Sequence, residues 1–368
     1  MRSIPSRRPD ALECQLRRFR PPFQGAVRAL AFRHERLADL ALSFPTLLFA
    51  LAAPRRGLDA ARAIALVVDG ARLADVAQAA DVPLWLRKLP PEAMTRRLAP
   101  LPDDKTFRRK IVNHLPTKKL APAWLEAVSD AADIADGAFA IWVAKEIVRD
   151  LKGVEPKRLR RVGLWAWFSR QPETFGHSLI DKCWTPDMQF PSAQDAAYDW
   201  YTTVALHANL GREPVSELWL RPALVGGHTF RPLACALEIE EEARAMDNCL
   251  RTYGENVVHD GLRLWSLRKD GERVATLSVA FRHGDPIPDV SELQGPRNEP
   301  VPYEVWRTVR QWILTHDFSG FTPKARRWGG VPLDQPTWRA LWRPYWLAKR
   351  RLPEWLPLAP SRRALDRL

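Results

Sequence analysis

The stretch GLRLWSLRKDGERVATLSVAF, residues 261–281, decides the fold that the sequence predicts. On both sides of Asp270-Gly271, apolar and polar residues alternate with a period of two, which is typical of strands with one buried face. Because Asp-Gly favours a tight turn between antiparallel strands, the stretch predicts a β-hairpin. Residues 290–294 are expected to add an edge strand, since Pro286 and Pro288 weaken the pairing just before them.

Helical patterns flank this hairpin on both sides. Residues 239–251 place apolar side chains at helical spacing after an acidic first turn, which suits the positive end of the helix dipole. Residues 300–316 are amphipathic, and Ala-rich amphipathic segments separated by prolines precede residue 235. We therefore expect an α+β fold, mostly helical, with one small antiparallel meander of two to three strands near residues 262–294 flanked by helices.

The chain has 368 residues, enough for one large domain or several smaller ones. Its pattern predicts a helical N-terminal region (1–235), an α+β module (236–320) and a C-terminal segment (321–368) rich in basic residues, Trp and Pro. That last segment contains five tryptophans interleaved with arginine. The tryptophans would either stack on the bases of a nucleic acid or anchor the segment on the rest of the protein.

The formal net charge of +13 is concentrated at the two ends of the chain. Residues 1–36 contain nine arginines against three acidic residues, and residues 321–368 contain eleven basic residues against three acidic ones. Residues 37–320 are nearly neutral, with 36 basic and 37 acidic residues. Such basic ends attract the phosphates of DNA or RNA; the alternative is a compositional bias that only solvates the surface. We expect DNA or RNA as a partner through the basic termini and leave protein partners open.

Several classes of protein are not expected from this sequence. Four cysteines without a C-x-x-C pair or a Cys/His cluster predict neither a disulfide framework nor a metal site. No apolar run of 18 or more residues and no apolar stretch after the basic N-terminus occurs, so we expect no membrane partner, no secretory leader and a cytoplasmic location. Because nucleotide-binding glycine motifs and the common hydrolase and kinase motifs are absent, no cofactor is expected.

Polar residues with chemical potential are densest between residues 246 and 298. An Asn-Cys pair is followed four residues later by a tyrosine, and a glycine then opens a strand that ends in Ser-Leu-Arg. A second strand with a threonine follows, and after it a Gln-x-x-x-Asn loop precedes a helix. This order resembles the PcfJ-like domain, a family named from a conjugative-plasmid gene, over roughly residues 240–316. The pattern falls on Cys249, Tyr253, Gly261, Arg268, Thr276, Gln294 and Asn298.

The resemblance implies a mobile-element setting and a fold, but no particular reaction. Together with the charged ends, it favours an accessory protein of a mobile or phage-derived element that contacts nucleic acid. Two alternatives remain open at this point. One is a hydrolase or transferase whose site combines Cys, Tyr, His, Gln and Asn side chains, and the other is a protein-interaction adaptor built from the helical N-terminal region.

Two residues are candidates for catalysis. Cys249, in the second half of the helix predicted over 239–251, is either a small apolar core residue or a nucleophile activated by His259. The end of a helix is the wrong end of the dipole for a thiolate, which weighs against the nucleophile. His259 beside Asp260 is either a solvated loop pair or a general base with an orienting acid.

Five residues are candidates for ligand binding. The phenol of Tyr253 and the amides of Gln294 and Asn298 make directed hydrogen bonds. Asn298 either satisfies backbone groups of its loop or presents its amide to a base edge or a ribose. Arg268 and Arg297 flank the same region and are suited to bind a phosphate with two parallel hydrogen bonds.

Overall fold

A computed structural model describes residues 7–150, 154–211, 214–215, 217–281, 285, 287–319 and 335–350. The chain forms two compact units. The first comprises Met1–Arg170 and Lys182–Ala197, and the second comprises Gln171–Asp181 and Tyr198–Leu368. The domain limits expected at residues 235 and 320 both lie within the second unit and stay a prediction.

Helices are the regular secondary structure of the first unit in the described residues. Its helices are α1 (Arg7–Leu16), α2 (Pro21–Ala31), α3 (Glu35–Ser43), α4 (Pro45–Ala52), α5 (Ala60–Val68), α6 (Leu73–Ala79), α7 (Lys105–Ile111), α8 (Ala121–Ile134), α9 (Gly137–Arg149) and α10 (Pro156–Phe168), with short 3₁₀ turns at Leu84–Lys88, Pro91–Ala93 and Val112–His114. Proline occupies the first turn of α2, α4, α8 and α10, where its missing N–H costs no hydrogen bond. Asp59, Asp104 and Asp136 cap α5, α7 and α9 through their side chains. The amphipathic patterns upstream of residue 170 therefore form the helices that they predict.

The second unit combines helices with one sheet. Its elements are α11 (Phe175–Ser178), α12 (Phe190–Leu210, which begins in the first unit), β1 (Ala223–Val225), β2 (His228–Pro232), α13 (Ala236–Met246), α14 (Gly254–Val258), β3 (Arg263–Lys269), β4 (Glu272–Ala280), β5 (Asp289–Gln294), α15 (Tyr303–Leu314) and α16 (Gln335–Lys349), with 3₁₀ turns at Leu250–Tyr253 and Pro296–Asn298. In the described residues the sheet has five strands in the order β1-β2-β3-β4-β5, and every neighbouring pair is antiparallel.

The α+β class and the mostly helical content are confirmed, but the expected strand number is too small. The predicted hairpin is β3 and β4, and the predicted edge strand is β5. The strands β1 and β2 lie in the region expected to be wholly helical. β1 has only three residues, and β2 alternates between buried and exposed positions over only five. β2 pairs with β3 across a long stretch of sequence, with Phe230 opposite Leu267. Gly226 and Gly227 connect them with φ angles of 55° and 78°, which suit the tight turn between twisted strands.

One face of the sheet carries the hydrophobic core of the second unit. Alternate residues of β2 to β5, including Phe230, Trp265 and Leu277, are buried against the inner face of α15. The Trp312 ring of α15 stacks on Phe230 with 4.1 Å between ring centroids and meets Trp265 edge-on at 4.8 Å. Each such side chain contributes about 1.5–3 kcal/mol when buried, so this contact fixes α15 on the sheet.

The opposite face of the sheet is partly polar. On this face Leu264 of β3, the middle strand, packs with Leu206 of α12 and Ile239 of α13. Next to this apolar area, Thr276 and Ser278 of β4 are buried side chains with hydroxyl groups. A buried hydroxyl needs a hydrogen-bond partner, which makes this face the natural place to look for a site.

The C-terminal segment is described only over α16. Trp338 and Trp342 are buried there, so for these two residues the anchoring interpretation is correct and a stacking platform is not. Trp328 and Trp355 lie outside the described residues. Among the helices that the structure describes, none combines the length and the apolar character needed to cross a membrane.

Candidate functional site

A small cleft lies where β4 and β5 meet the 3₁₀ turn Leu250–Tyr253 and the loop after β5. Nine residues of the described part of the chain line it: Asn248, Cys249, Leu250, Tyr253, Thr276, Ser278, Glu292, Gln294 and Asn298. Five of these, Cys249, Tyr253, Thr276, Gln294 and Asn298, belong to the pattern that resembles the PcfJ-like domain. The structure thus brings together residues that are up to 49 positions apart in the sequence.

The two strands supply one wall of the cleft through their register. Thr276 lies opposite Gln294, and Ser278 lies opposite Glu292. Because side chains alternate between the faces of a strand, these four side chains project from the same face. The register shifts between Ser278 and Val279, a β-bulge of the kind that redirects side chains at the edge of a sheet.

The end of α13 supplies the second wall. The helix ends at Met246, five residues before the predicted end, and Asp247 takes a left-handed conformation with φ of 49°. The chain therefore turns, and Asn248 and Cys249 reach the cleft. Cys249 precedes the short 3₁₀ turn and is exposed. The interpretation of Cys249 as a core residue late in a helix is therefore wrong, because the helix stops before it.

A buried carboxylate holds the strand side of the cleft in place. Glu242 of α13 is fully buried and accepts hydrogen bonds from Nε of Arg273 at 2.8 Å and from the hydroxyl of Thr276 at 3.4 Å. Thr276 Oγ1 in turn accepts from the amide of Asn248 at 3.4 Å. The Asn248 side-chain oxygen accepts from the Leu250 backbone N–H at 3.2 Å. This chain of bonds fixes the orientation of Asn248 in the cleft wall.

Arg268 also belongs to this buried group and does not line the cleft. Its guanidinium lies 3.9 Å from Glu242, and its Nε donates to Ser266 Oγ at 3.3 Å. A guanidinium with an internal carboxylate is only partly available to an external phosphate. The predicted phosphate contact of Arg268 therefore has a competing internal partner.

Tyr253 and Glu292 form a hydrogen-bonded pair at the cleft. The phenol donates to Glu292 Oε2 at 2.6 Å. Burial raises the pKa of Tyr253 well above its ordinary value, and the hydrogen bond to the Glu292 carboxylate raises it further. Tyr253 is therefore a neutral hydrogen-bond donor over the whole physiological pH range and does not act as a base there.

The loop after β5 has a strained backbone. The Gly295 N–H donates to the Glu299 carbonyl at 2.8 Å and closes the loop. Arg297 and Asn298 inside it have φ angles of 56° and 61°, a conformation that costs a residue with a Cβ about 1–2 kcal/mol and that asparagine tolerates best. Asn298 lines the cleft, whereas Arg297 is exposed and pairs with Glu299 at 3.1 Å. Strain of this kind is often kept at binding sites.

One polar atom at the cleft has no partner. The hydroxyl of Ser278 is buried and makes no hydrogen bond with any described residue. The cleft itself has a volume of about 20 Å³, close to the minimum that holds one water molecule. In this conformation it admits one small polar group and does not enclose a whole small molecule, which needs at least about 300 Å³.

The second catalytic candidate is not part of this cleft. His259 follows α14 and is not among the lining residues. Its neighbour Asp260 pairs with Arg263. The nine lining residues include no histidine, lysine or arginine.

Three residues of the site, Ser278, Glu292 and Glu242, were not among the predicted ones. For the first two a signal was present, because period-two counting places Ser278 with Thr276 and Glu292 with Gln294. Glu242 carried no such signal, since it was one of several glutamates in the first half of its helix. Only the packing of α13 on the sheet distinguishes it.

In the described part of the chain, no group of three or more His, Cys, Asp or Glu side chains is placed to hold a metal ion. Comparisons with known proteins found no match among family models, curated proteins or solved structures. The resemblance to the PcfJ-like domain therefore depends on the residues quoted above and stays a hypothesis.

Proposed function

We propose that this protein is a nucleic-acid-binding accessory protein of a mobile or phage-derived element, and that its cleft accepts the edge of a single unpaired base. One observation carries the proposal. The carboxamides of Asn248, Gln294 and Asn298 line the same cleft, beside the hydroxyl of Ser278, which has no hydrogen-bond partner among the described residues. The amides of Gln294 and Asn298 offer donors and an acceptor, the combination that reads base edges. Asn248 uses its oxygen and one N–H within the cleft wall.

The size of the cleft favours an edge over a whole ligand. A volume of about 20 Å³ accepts one exocyclic amino or carbonyl group, while the ring of the base would lie across the opening. The phenol of Tyr253 at the rim gives its only proton to Glu292 at 2.6 Å, so towards a base its oxygen is an acceptor. Because base edges are most accessible in unstacked single strands, the proposed ligand is single-stranded RNA or DNA.

The charge distribution gives partial support. Near the N-terminus, Arg18 pairs with Glu92 at 3.0 Å, and Arg28 pairs with Glu13, so part of the positive charge is used inside the protein. The exposed side chains of Arg20 and Arg33 make no ion pair with any described residue and remain available to phosphate. The mobile-element setting is supported only by the resemblance.

A second candidate function is a covalent enzyme that uses Cys249. The observation in its favour is the exposed thiol at the same cleft. The Cys249→Ser substitution separates the two functions, because binding of a base edge needs no thiol. An oligonucleotide affinity that is unchanged in this variant supports binding, whereas a hydrolytic or transfer activity that only the wild type shows would support the enzyme.

The test is fluorescence anisotropy of the full chain with 20-nucleotide single strands of each base, titrated with salt. We expect Gln294→Ala with Asn298→Ala to weaken the preferred strand at least tenfold and to remove the preference between bases, since a good base contact gives about 1–3 kcal/mol of discrimination. Gln78→Ala, an exposed amide on α6, is the matched control. Absence of binding by the wild type, affinity that does not fall with salt, or an unchanged preference in the double variant would each overturn the proposal.

A further inference from the structure

The outward face of α15 combines aromatic rings with arginines. The inner face of the helix is buried against the sheet, whereas Tyr303 is 80% exposed and Trp306 is 43% exposed. Arg307 and Arg310 are exposed as well. Positions three and four apart lie next to each other on a helix, so these four side chains form one continuous stripe, which we call the α15 stripe.

The four side chains of the α15 stripe make no stacking contact or ion pair with the residues that the structure describes. Neither ring stacks on a described ring, and neither guanidinium pairs with a described carboxylate. In contrast, Arg263 and Arg273 of the same unit both have carboxylate partners. The two exposed rings are therefore available for stacking, and the two guanidiniums beside them are available for phosphate contacts.

We propose that the α15 stripe binds single-stranded nucleic acid, with bases stacked on Tyr303 and Trp306 and phosphates held by Arg307 and Arg310. This proposal deepens the proposed function, on which it rests, by assigning a second contact surface to the same ligand. At 1.5 Å of rise per residue, the two rings are about 4.5 Å apart along the helix and Trp306 and Arg310 about 6 Å. Alternating rings and cations at such spacing is the arrangement with which proteins follow a single strand.

An acidic protein is the competing partner, since tyrosine, tryptophan and arginine are also enriched at protein interfaces. The alternation of rings and cations along one helix favours a single strand, whose bases and phosphates alternate in the same way. Arginine also stacks on bases and binds phosphate with two hydrogen bonds. Rings and cations in one stripe therefore fit a nucleic acid better than a carboxylate surface.

The α15 stripe and the cleft are on opposite sides of the sheet, so they can be tested separately. The cleft opens on the face covered by α13, and α15 covers the other face. Substitutions in the exposed stripe leave the cleft residues and the core contacts of Val309 and Trp312 in place. Unchanged thermal midpoints of the variants would check this.

The experiment measures the affinity of the full chain for a fluorescent 20-nucleotide single strand between 50 and roughly 300 mM salt. We expect Tyr303→Ala with Trp306→Ala to weaken binding about tenfold or more at every salt concentration, since stacking does not depend on salt. Arg307→Ala with Arg310→Ala should lower the slope of log affinity against log salt by about 1.4, because each phosphate contact on a single strand contributes about 0.7.

The matched control is Arg231→Ala with Lys269→Ala. Both are exposed cations of the same unit and lie outside α15, so we expect the salt slope to change less than in the arginine pair of the stripe. A duplex of the same sequence should bind without any effect of the ring variant, because its bases are already stacked. Poly-glutamate serves as the probe for an acidic protein.

The outcomes separate the two proposals. If the wild type binds single strands and both stripe variants bind like it, the α15 stripe is not a contact surface and the proposed function survives. If the wild type binds no oligonucleotide, both proposals fail. If poly-glutamate competes as well as the oligonucleotide and the ring variant behaves as wild type, the stripe is a general anion surface and the stacking assignment is wrong.

Discussion

The Glu242→Gln substitution would remove the negative charge that two guanidiniums and one hydroxyl share beneath the cleft. The carboxylate is fully buried, and its bonds to Arg273 and Thr276 measure 2.8 and 3.4 Å. Removing one partner of a buried ion pair costs about 3–5 kcal/mol. The side chains of Arg268 and Arg273 remain 22% and 29% exposed, however, and can turn towards water. We therefore expect Glu242→Gln to lower the local stability by about 2–3 kcal/mol, which is less than this range and similar to the loss of one hydrogen bond to a charged group.

The appropriate assay is native-state hydrogen exchange of the β3 and β4 amides in the full chain. A chain with two compact units need not unfold in one step, so a single melting temperature does not report this local loss. A loss of 2–3 kcal/mol corresponds to exchange that is about 30- to 150-fold faster at these amides. Glu241→Gln, the exposed neighbour on the same helix, should change the exchange free energy by less than about 0.5 kcal/mol.

Combining Glu242→Gln with Arg273→Met tests the cause. If the unpaired guanidinium is responsible for the loss, the double variant recovers at least about 1 kcal/mol relative to the sum of the single changes. Exchange in Glu242→Gln that stays within threefold of Glu241→Gln would refute the reasoning. The charge of Glu242 would then contribute nothing to the packing of α13 on the sheet.

Three further outcomes are expected. Burial raises the pKa of Glu240, but the hydrogen bond from His207 and the nearby arginines outweigh burial, so the pKa of Glu240 in the folded protein is lowered. Thermal midpoints should therefore show the wild type more stable than Glu240→Gln above the ordinary pKa of 4.5. The difference should vanish as the pH falls through the lowered pKa of the folded protein. Arg297→Gly should raise the free energy of unfolding by about 1 kcal/mol in urea titrations, because glycine accepts its positive φ; an unchanged or lower value would show that this backbone carries no strain. Trp342→Ala should lower the free energy of unfolding by about 3–5 kcal/mol and make α16 accessible to protease. Trp346 is half-buried, so Trp346→Ala should lower it clearly less. Equal effects of the two substitutions would contradict the anchoring interpretation.

Much of the second unit could be predicted from local patterns. The alternation on both sides of Asp270-Gly271 gave β3 and β4, and the amphipathic period of residues 300–316 gave α15. The period of α15 follows from burial on one face of the helix. In β3 and β4 both faces are buried, and the alternation reflects their different polarity, with Leu277 on one face and Thr276 on the other. The pair β1 and β2 was missed, since β1 has only three residues and the alternation of β2 extends over only five. The second partner of β2 is β3, which lies beyond α13 and α14 in the sequence.

The candidate site was predictable as a set of residues but not as an arrangement. The sequence indicated Cys249, Tyr253, Gln294 and Asn298, and all four line one cleft. It also indicated His259, which does not line that cleft. The conformation of the loops decides which of these residues reach the cleft. The left-handed turn at Asp247 depends on how α13 ends on the sheet, and residue spacing does not encode that.

The sequence by itself determined the secondary structure of the hairpin and its flanking helices, the charged ends and the types of polar side chain near the site. Only the tertiary structure decided that Glu242 is buried beneath Thr276, that Arg268 has an internal partner and that the Ser278 hydroxyl has no partner among the described residues. The physical reason is that a difference in polarity between the two faces of a helix or strand repeats along the chain. A hydrogen bond between a helix and a strand depends instead on how two distant segments pack.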